Sequence, residues 1–470
     1  MASNSFTRLT AEELQFLVME APSVPMDIVS TQVYGAGRLS TPDGGVDLAA
    51  YRELIGAMLQ RMPRFRKKLK WIPYADIPVW VDDPAFSIDY HIRHTALPRP
   101  GSPQQLKKLT ARIAGRALDR DRPLWEIWLV EGLEQGGYAI ISKIHHAMLS
   151  AVDAPSLATV LMSKEPVPKV PPLRPFVPSK PPSEVSLLWD EWQRRYSMPI
   201  DALRNAGEML LRTRGGRSEL ERRVGAMKHS WTSIIRRPRA TPVNGELSGQ
   251  RRVEWLDLPL APLLQARRML VCSLSDVLIA LLGGGVRAIY RERDIAPPGG
   301  AFRVAVPVYL AASDPEGGRS ATWLLDLCID EPSPSARLNH IAAQSADMDG
   351  EESEFSVERM MNPTRWAAPG FLSLFSTGKQ LCANTLMAPI AGPQAPLYSM
   401  GAKMLGIYPH VPLQPGIGLT TGLMSYHGKM CWSFNADYDL VPDIHAVPRG
   451  VAQAFDQLME ELGIDAAADR

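Results

Sequence analysis

Two neighbouring residues carry the clearest chemistry in this sequence. Of nine histidines only His145 and His146 are adjacent, and an imidazole is the side chain best suited to take a proton near neutral pH. The chemistry on offer is therefore general-base catalysis. The pair closes a short apolar run, and successive side chains of a strand point to opposite faces. At most one histidine is thus expected to face a given cleft while the other packs inward, and the bare pair also suits two core histidines. Cys272, Cys328, Cys382 and Cys431 lie far apart, with no C-x-x-C pair and no histidine spaced to complete a zinc site. No metal is expected, and the thiols suit a reducing compartment.

The elements that must hold the pair can be read around it. Trp125 to Val130 and Tyr138 to Ile144 are short, aromatic and β-branched, with a turn supplied between Gly132 and Gly137, so they read as paired strands. In the preceding stretch, Gln104 to Leu118, the residues Leu106, Leu109, Ile113 and Leu118 recur at helical intervals. The segment after His146, AMLSAVDAPSLATVLM, also suits a helix. The pair is thereby placed where a strand gives way to a helix.

The chain has 470 residues, enough for two or three domains. Lys and Arg number 51 against 50 Asp and Glu, and 45% of residues are hydrophobic. That balance describes a globular protein with a substantial core and gives no general attraction to nucleic acid. No run of about 18 apolar residues occurs, and the charged N-terminal segment does not read as a secretory signal. A cytoplasmic location is expected. Eight of the eighteen residues from 165 to 182 are proline, which neither a helix nor a central strand tolerates. This linker sets the expected division: residues 1–164, a linker with a basic helical segment over 165–240, and residues 241–470. From Arg204 to Arg239 ten Lys or Arg face three Glu, a local charge of +7, and an apolar face accompanies it, so peripheral contact with an anionic membrane or lipid droplet is a candidate role. Beyond it, Arg252 to Leu256 and Arg303 to Val308 read as strands. Leu274 to Tyr290 reads as an apolar helix opened by Ser275 and Asp276, with glycines at 283 to 285 that close packing against another backbone would explain. Strands and helices interleave throughout, so the fold class is α/β, with two sheet-containing lobes.

Several segments, in order, resemble the wax ester synthase/diacylglycerol acyltransferase family of bacterial O-acyltransferases, relatives of condensation domains and of chloramphenicol acetyltransferase. They are FLVMEAPSVPMDIV (Phe16 to Val29), DYHIRHTALPRPG (Asp89 to Gly101), RALDRDRPLWEIWLVEGL (Arg116 to Leu133) and KIHHAMLSA (Lys143 to Ala151). PVNGELSGQRR (Pro242 to Arg252), SLSDVLIA (Ser273 to Ala280), VPVYLA (Val306 to Ala311) and PLYSMGAKMLGIYP through NADYDLVPD follow. The resemblance implies two chloramphenicol-acetyltransferase-like lobes, each a mixed sheet with flanking helices, and an active-site tunnel between them. It implies acyl transfer from acyl-CoA, or from a carrier-protein thioester, to a hydroxyl acceptor. The thioester is a substrate, and no cofactor is called for. His146 would be the general base and His145 structural, with Trp125 supporting the tunnel. The resemblance leaves a monomer and a homodimer equally open.

The departures are as informative. The Asp and Gly of the family's His-His-x-x-x-Asp-Gly motif are Ser150 and Ala151 here, and the arginine ending its Val-Pro-Val motif is Ala311. Losing both charges together removes an ion pair without stranding either partner. Asp27 stands where a histidine is usual. Ser275-Asp276 stands where the family has Asn-Asp, an amide suited to an oxyanion; Ser275 could donate there or simply cap its helix. In ANTLMAP (Ala383 to Pro389) only Asn384 of the family's Ser-Asn-x-x-Gly-Pro survives. Two readings follow: a thioester-dependent O-acyltransferase, favoured by the histidines and Pro123-Leu124-Trp125, and a non-catalytic paralogue that binds lipid or protein through the same tunnel, favoured by the lost motif residues.

Overall fold

The computed structural model of the chain describes residues 6–37, 45–74, 77–148, 162–166, 172, 175–193, 241–298, 301–310, 319–346 and 383–465. Ser150, Ala151, Asp153, Ala311, Cys382, the helix expected after Met148 and the basic segment from Arg204 to Arg239 lie outside these residues.

The first lobe holds β1 (Phe6–Arg8), α1 (Ala11–Met19), β2 (Asp27–Tyr34), α2 (Leu48–Met58), β3 (Lys67–Ile72), β4 (Ile77–Asp82), α3 (Ile88–His91), β5 (Ile92–Ala96), α4 (Pro103–Ala114), β6 (Trp125–Glu131) and β7 (Tyr138–His145). The strands around the histidine pair and the helix before them fall where the sequence puts them, because alternation and helical periodicity are local signals. A helix α5 covers 184–193. The second lobe begins with β8 (Arg251–Pro259), α6 (Leu260–Met269), α7 (Leu274–Glu292), β9 (Arg303–Leu310), β10 (Arg319–Asp326) and α8 (Pro334–Ala346). It continues through β11 (Thr385–Ile390), β12 (Tyr398–Ser399), β13 (Ala402–His410), β14 (Leu419–Tyr426), β15 (Lys429–Asp437) and α9 (Ala446–Leu462).

Two mixed six-stranded sheets form the body of the molecule, in the orders β12-β13-β2-β7-β6-β5 and β10-β9-β11-β14-β15-β8, beside a small β1-β4-β3 sheet. The chain crosses back on itself: β12 and β13 follow most of the second lobe in sequence yet complete the first sheet, β13 pairing antiparallel with β2 from His410↔Val29 to Met404↔Tyr34. Where β13 leaves that sheet it lies against the second. Ser433 Oγ donates to Pro409 O (2.6 Å), while Thr420 Oγ1 (2.7 Å) and Asn435 Nδ2 (2.8 Å) donate to Val411 O. Residue 422 must be glycine there, since a Cβ would fall 2.0 Å from Pro409 O.

Helix α7 is the axis of the second core. It is capped by Ser273, not by Ser275: Ser273 Oγ accepts from Asp276 N (3.1 Å) and Asp276 Oδ2 accepts from Ser273 N (2.8 Å), the reciprocal box that satisfies two free helix-end donors. Serines at 273 and 275 are equally good caps by type, and only the box with Asp276 separates them. The triple glycine is where neighbours touch α7 most closely. A Cβ on Gly283 would meet Leu327 O at 2.6 Å, one on Gly284 the Ala454 Cβ at 2.6 Å, and one on Gly285 the Val451 Cγ2 at 2.7 Å. Among the described residues no single helix is long and apolar enough to cross a bilayer.

Gly283→Ala poses propensity against space. Alanine gains about 1 kcal/mol in a helix interior, but its methyl collides with a backbone carbonyl, and overpacking typically costs about 1–3 kcal/mol. The variant is expected to be less stable than the parent in urea unfolding; an increase in stability would show that α7 can shift to admit a methyl.

Candidate active site

The histidine pair ends β7 and opens a short 3₁₀ turn, His146–Met148. Two main-chain bonds fix this exit: His145 N donates to Leu124 O (3.0 Å) and His146 N to Met26 O (2.9 Å). Both histidines are buried, His145 at 1% and His146 at 0% exposure. They nevertheless diverge. His146 stacks on the Phe16 ring, centroids 4.6 Å apart and planes 18° from parallel. Phe16 packs in turn with Leu386, Ala388 and Val411, so the imidazole sits at the seam between the lobes, under a side chain that touches both.

His145 points toward charge. Its Nδ1 accepts the Ala147 N–H (3.0 Å), which leaves Nε2, 3.7 Å from Glu20 Oε1, as the nitrogen that carries a proton. Glu20 also accepts from Arg120 Nε (3.0 Å). Asp27 is the cross-strand partner of His145 and lies 3.1 Å from Lys143 Nζ, which donates to Ile113 O (2.9 Å) and to Arg116 O. Burial works against ionising Glu20, but His145 and Arg120 hold its carboxyl down at about 2. Burial wins at Asp27, whose carboxyl is raised despite Lys143. Glu20, Asp27 and His145 place one ligand-type atom each within 4.8 Å of one another. Two of the three already face a cation, Asp27 that of Lys143 and Glu20 that of Arg120.

Burial, reinforced by the neighbouring His145, pushes the His146 imidazole well below its ordinary value. A neutral imidazole shielded from water can accept a proton but does not hold one in the resting site. The resting ring is thus in the form that can accept a proton, as a weaker base than a solvated imidazole.

The other residues singled out in the sequence are distributed as follows. Trp125 is a core residue: its Nε1 donates to Phe65 O (2.8 Å), and its ring stacks on His91 at 4.4 Å. Ser275 and Asp276 lie in the first turn of α7, Asp276 engaged in the helix cap. Asn384, fully buried, accepts from Arg303 N (2.9 Å) through Oδ1 and donates to Asn244 Oδ1 (2.9 Å) through Nδ2. It ties the start of β11 to the loop before β8, with Ala383 and Leu386 on either side reaching the Phe16 cluster. Ser150 lies outside the described residues. Sequence reasoning missed Phe16, Glu20 and Lys143 as neighbours of the pair. Lys143 left a signal, a lysine inside the otherwise apolar YAIISKIH strand, where a cation must find a buried partner.

The chain matches the wax ester synthase/diacylglycerol acyltransferase catalytic domain over residues 9–278 and the C-terminal domain of the same proteins over residues 317–459. A Mycobacterium tuberculosis relative, named as a diacylglycerol O-acyltransferase, is 27% identical over 474 residues, covering 96% of this chain and 90% of its own. A Mycobacterium bovis relative of the same name is 28% identical over 468 residues, covering 96% and 98%. Among solved structures, the wax ester synthase/diacylglycerol acyltransferase from Marinobacter aquaeolei VT8 superposes with a TM-score of 0.67 at 21% identity, over 97% of this chain and all of that one. The first condensation domain of the calcium-dependent antibiotic synthetase gives 0.55 at 15%, over 99% and 98%. The two-lobed α/β architecture expected from the sequence is thus the fold of these structures.

Three buried imidazoles give the folded state a pH signature. His91 is pushed down to about 4 and His410 to about 3, both by burial, and His146 is lowered for the same reason. All three are neutral when folded, so below about pH 6.5 the unfolded chain binds more protons and stability falls as pH drops. Each contributes up to about 1.4 kcal/mol per pH unit. For His91 the window closes at about pH 4, whereas Glu20, ionised down to about 2, adds its loss only below about pH 4.5. Unfolding free energies measured at pH 7, 6 and 5 should decline, and His91→Gln should make the decline shallower by about one proton; an unchanged slope would mean that His91 is charged in the fold.

Proposed function

The chain belongs to the wax ester synthase/diacylglycerol acyltransferase family of O-acyltransferases, and on that premise we propose that it esterifies a long-chain alcohol or diacylglycerol from acyl-CoA, with His146 as the general base. The observation that carries this reading is the position of a neutral, water-shielded imidazole at the seam of the two lobes, within the stretch that matches the family's catalytic domain. The acceptor hydroxyl gives its proton to His146 as its oxygen forms the new bond to the thioester carbonyl carbon. Collapse of the tetrahedral species breaks the carbon–sulfur bond, and the thiolate takes the proton back from His146 to leave as coenzyme A. No acyl-enzyme is required, because proximity of the two substrates and one base suffices.

His145 acts as a positioning residue in this scheme. With its tautomer set by Ala147 N–H and its Nε2 turned to Glu20, it fixes the turn from which His146 projects. The alternative of a non-catalytic paralogue draws no support from the relatives or from this geometry.

His146→Ala is expected to lower kcat by about 10² to 10⁴ with acyl-CoA and an alcohol or diacylglycerol, read as free thiol release, while far-ultraviolet circular dichroism is unchanged. The acid limb of kcat/KM for the parent should lie below pH 6.5, the direction set by burial of the base. Full activity in a folded His146→Ala protein would remove the assignment.

The lipid-facing side of this proposal rests on α5. Its Trp189 and Trp192 stack at 5.3 Å yet remain 59% and 56% exposed, and with Tyr74, Val185 and Leu188 they line a groove of about 500 Å³. Exposed tryptophans of this kind suit the polar–apolar boundary of a membrane or lipid droplet. Replacing both by serine should reduce co-sedimentation with phospholipid vesicles; equal sedimentation would locate any lipid contact elsewhere.

A further inference from the structure

The one long contact between helix α4 and strand β8 encloses a cleft of about 600 Å³, and its wall is strongly cationic. Lys107, Lys108, Arg112 and Arg116 come from the first lobe, Arg251 and Arg252 from the second, and Glu254 is the one carboxylate among the lining residues. Two of these cations are already matched: Lys107 Nζ lies 2.5 Å from Glu254 and Arg251 Nη1 3.5 Å from Asp437. Lys108 and Arg112 on α4 and Arg116 just past its end recur every four residues, are exposed, and have no ion-pair partner among the described residues. Arg252 sits over the Tyr438 ring at 3.7 Å. Like charges held together in a concave wall repel one another and focus a positive field outward. Such an arrangement is stabilised by an anion, and the planar guanidinium is the group that matches phosphate oxygens in pairs.

The cleft is also close to the base, by two independent routes. Arg251 Nη2 donates to Ser23 O, and three residues further along that segment Met26 O receives the His146 N–H. From the other wall, Arg116 O receives Lys143 Nζ, and Lys143 precedes His146 by three residues along β7 and its exit. Three extended residues span about 10 Å. A donor whose phosphates lie in this cleft would need a flexible arm to bring a thioester to His146, and coenzyme A carries one in its pantetheine.

We propose that the cleft between α4 and β8 binds the phosphate groups of the coenzyme A donor, through Lys108, Arg112, Arg116 and Arg252. The proposal rests on the acyl-CoA reading above, and it adds the place at which the donor is recognised. A carrier-protein donor would bring a single phosphate and a protein surface, whereas Lys108, Arg112 and Arg116, without an ion-pair partner among the described residues and lining the same cleft as Arg252, suit the several phosphates that coenzyme A concentrates in one small molecule.

The test reverses two exposed charges, Arg112→Glu with Arg116→Glu, and reads binding and turnover separately. Calorimetric titration with coenzyme A itself needs no acceptor and no reaction: the parent should bind it with an affinity that falls as salt rises, and the variant should bind at least tenfold more weakly. In turnover, KM for acyl-CoA should rise at least tenfold, while parent and variant should be indistinguishable with the matching acyl-pantetheine, which carries no phosphate. Coenzyme A bound equally well by the variant overturns the proposal, and so does an equal rise in KM for acyl-pantetheine. So does a variant impaired only toward a carrier-protein thioester. The underlying reading fails differently. Binding that depends on Arg112 and Arg116 in a protein that turns over no acceptor leaves the cleft standing and removes the reaction, whereas turnover of acyl-CoA with undiminished binding in the variant does the opposite.

Discussion

The position of β13 is the constraint on which the rest depends. One strand gives its edge to β2 in the first sheet and the carbonyls at its end to side chains of β14 and β15 in the second. His410 closes the joint: one ring nitrogen lies 3.0 Å from Thr31 Oγ1 of the first lobe and the other 2.9 Å from Ser433 Oγ of the second. Buried polar groups of this kind are costly unless every one has a partner, so the lobes cannot slide past each other without losing a set of bonds that water is not there to replace. That fixes the seam. Phe16 reaches across it, and His146 lies beneath Phe16, so the low basicity of the imidazole is a consequence of lobe packing as much as of local sequence.

A second consequence is that the charges near the pair had to be arranged internally. Glu20 and Asp27 are both buried or nearly so, and each lies next to one cation, Arg120 and Lys143 respectively. Breaking one such pair leaves an uncompensated charge, which is far worse than never having had it.

What could be read in the sequence follows from the range of the interactions involved. Strands β6 and β7 and helices α4 and α7 are dictated by alternation and periodicity within one segment, and the histidine pair could be placed at the end of β7 on those grounds alone. The triple glycine announced close packing, but not that α8, α9 and the segment after β10 supply it. The return of β13 to the first sheet could not be read, because its partner β2 lies hundreds of residues earlier and any strand of suitable pattern could have taken that edge. The same range limit explains the individual side chains. Trp125 and Asn384 carried the right types for a substrate wall, yet their partners, His91, Phe65 and Asn244, are set by tertiary contacts that spacing does not encode. Ser275 was a plausible cap until the carboxylate of Asp276 chose Ser273.

His145 shows how such an arrangement leaves room for motif drift. In the proposed scheme the imidazole beside His146 must not itself compete for the proton, and the main chain sets which of its nitrogens faces Glu20. Ala147 N–H occupies Nδ1, so the ring can respond to Glu20 only through Nε2. That response leaves the turn carrying His146 where β7, Met26 and Leu124 already hold it. The bonds that orient the base are therefore made by backbone groups and by residues of α1 and β2, all upstream of the pair or immediately after it. Substitutions four and five residues beyond His146, at Ser150 and Ala151, replace none of the groups that make those bonds, so a departure from the family pattern there is compatible with the proposed base keeping its place.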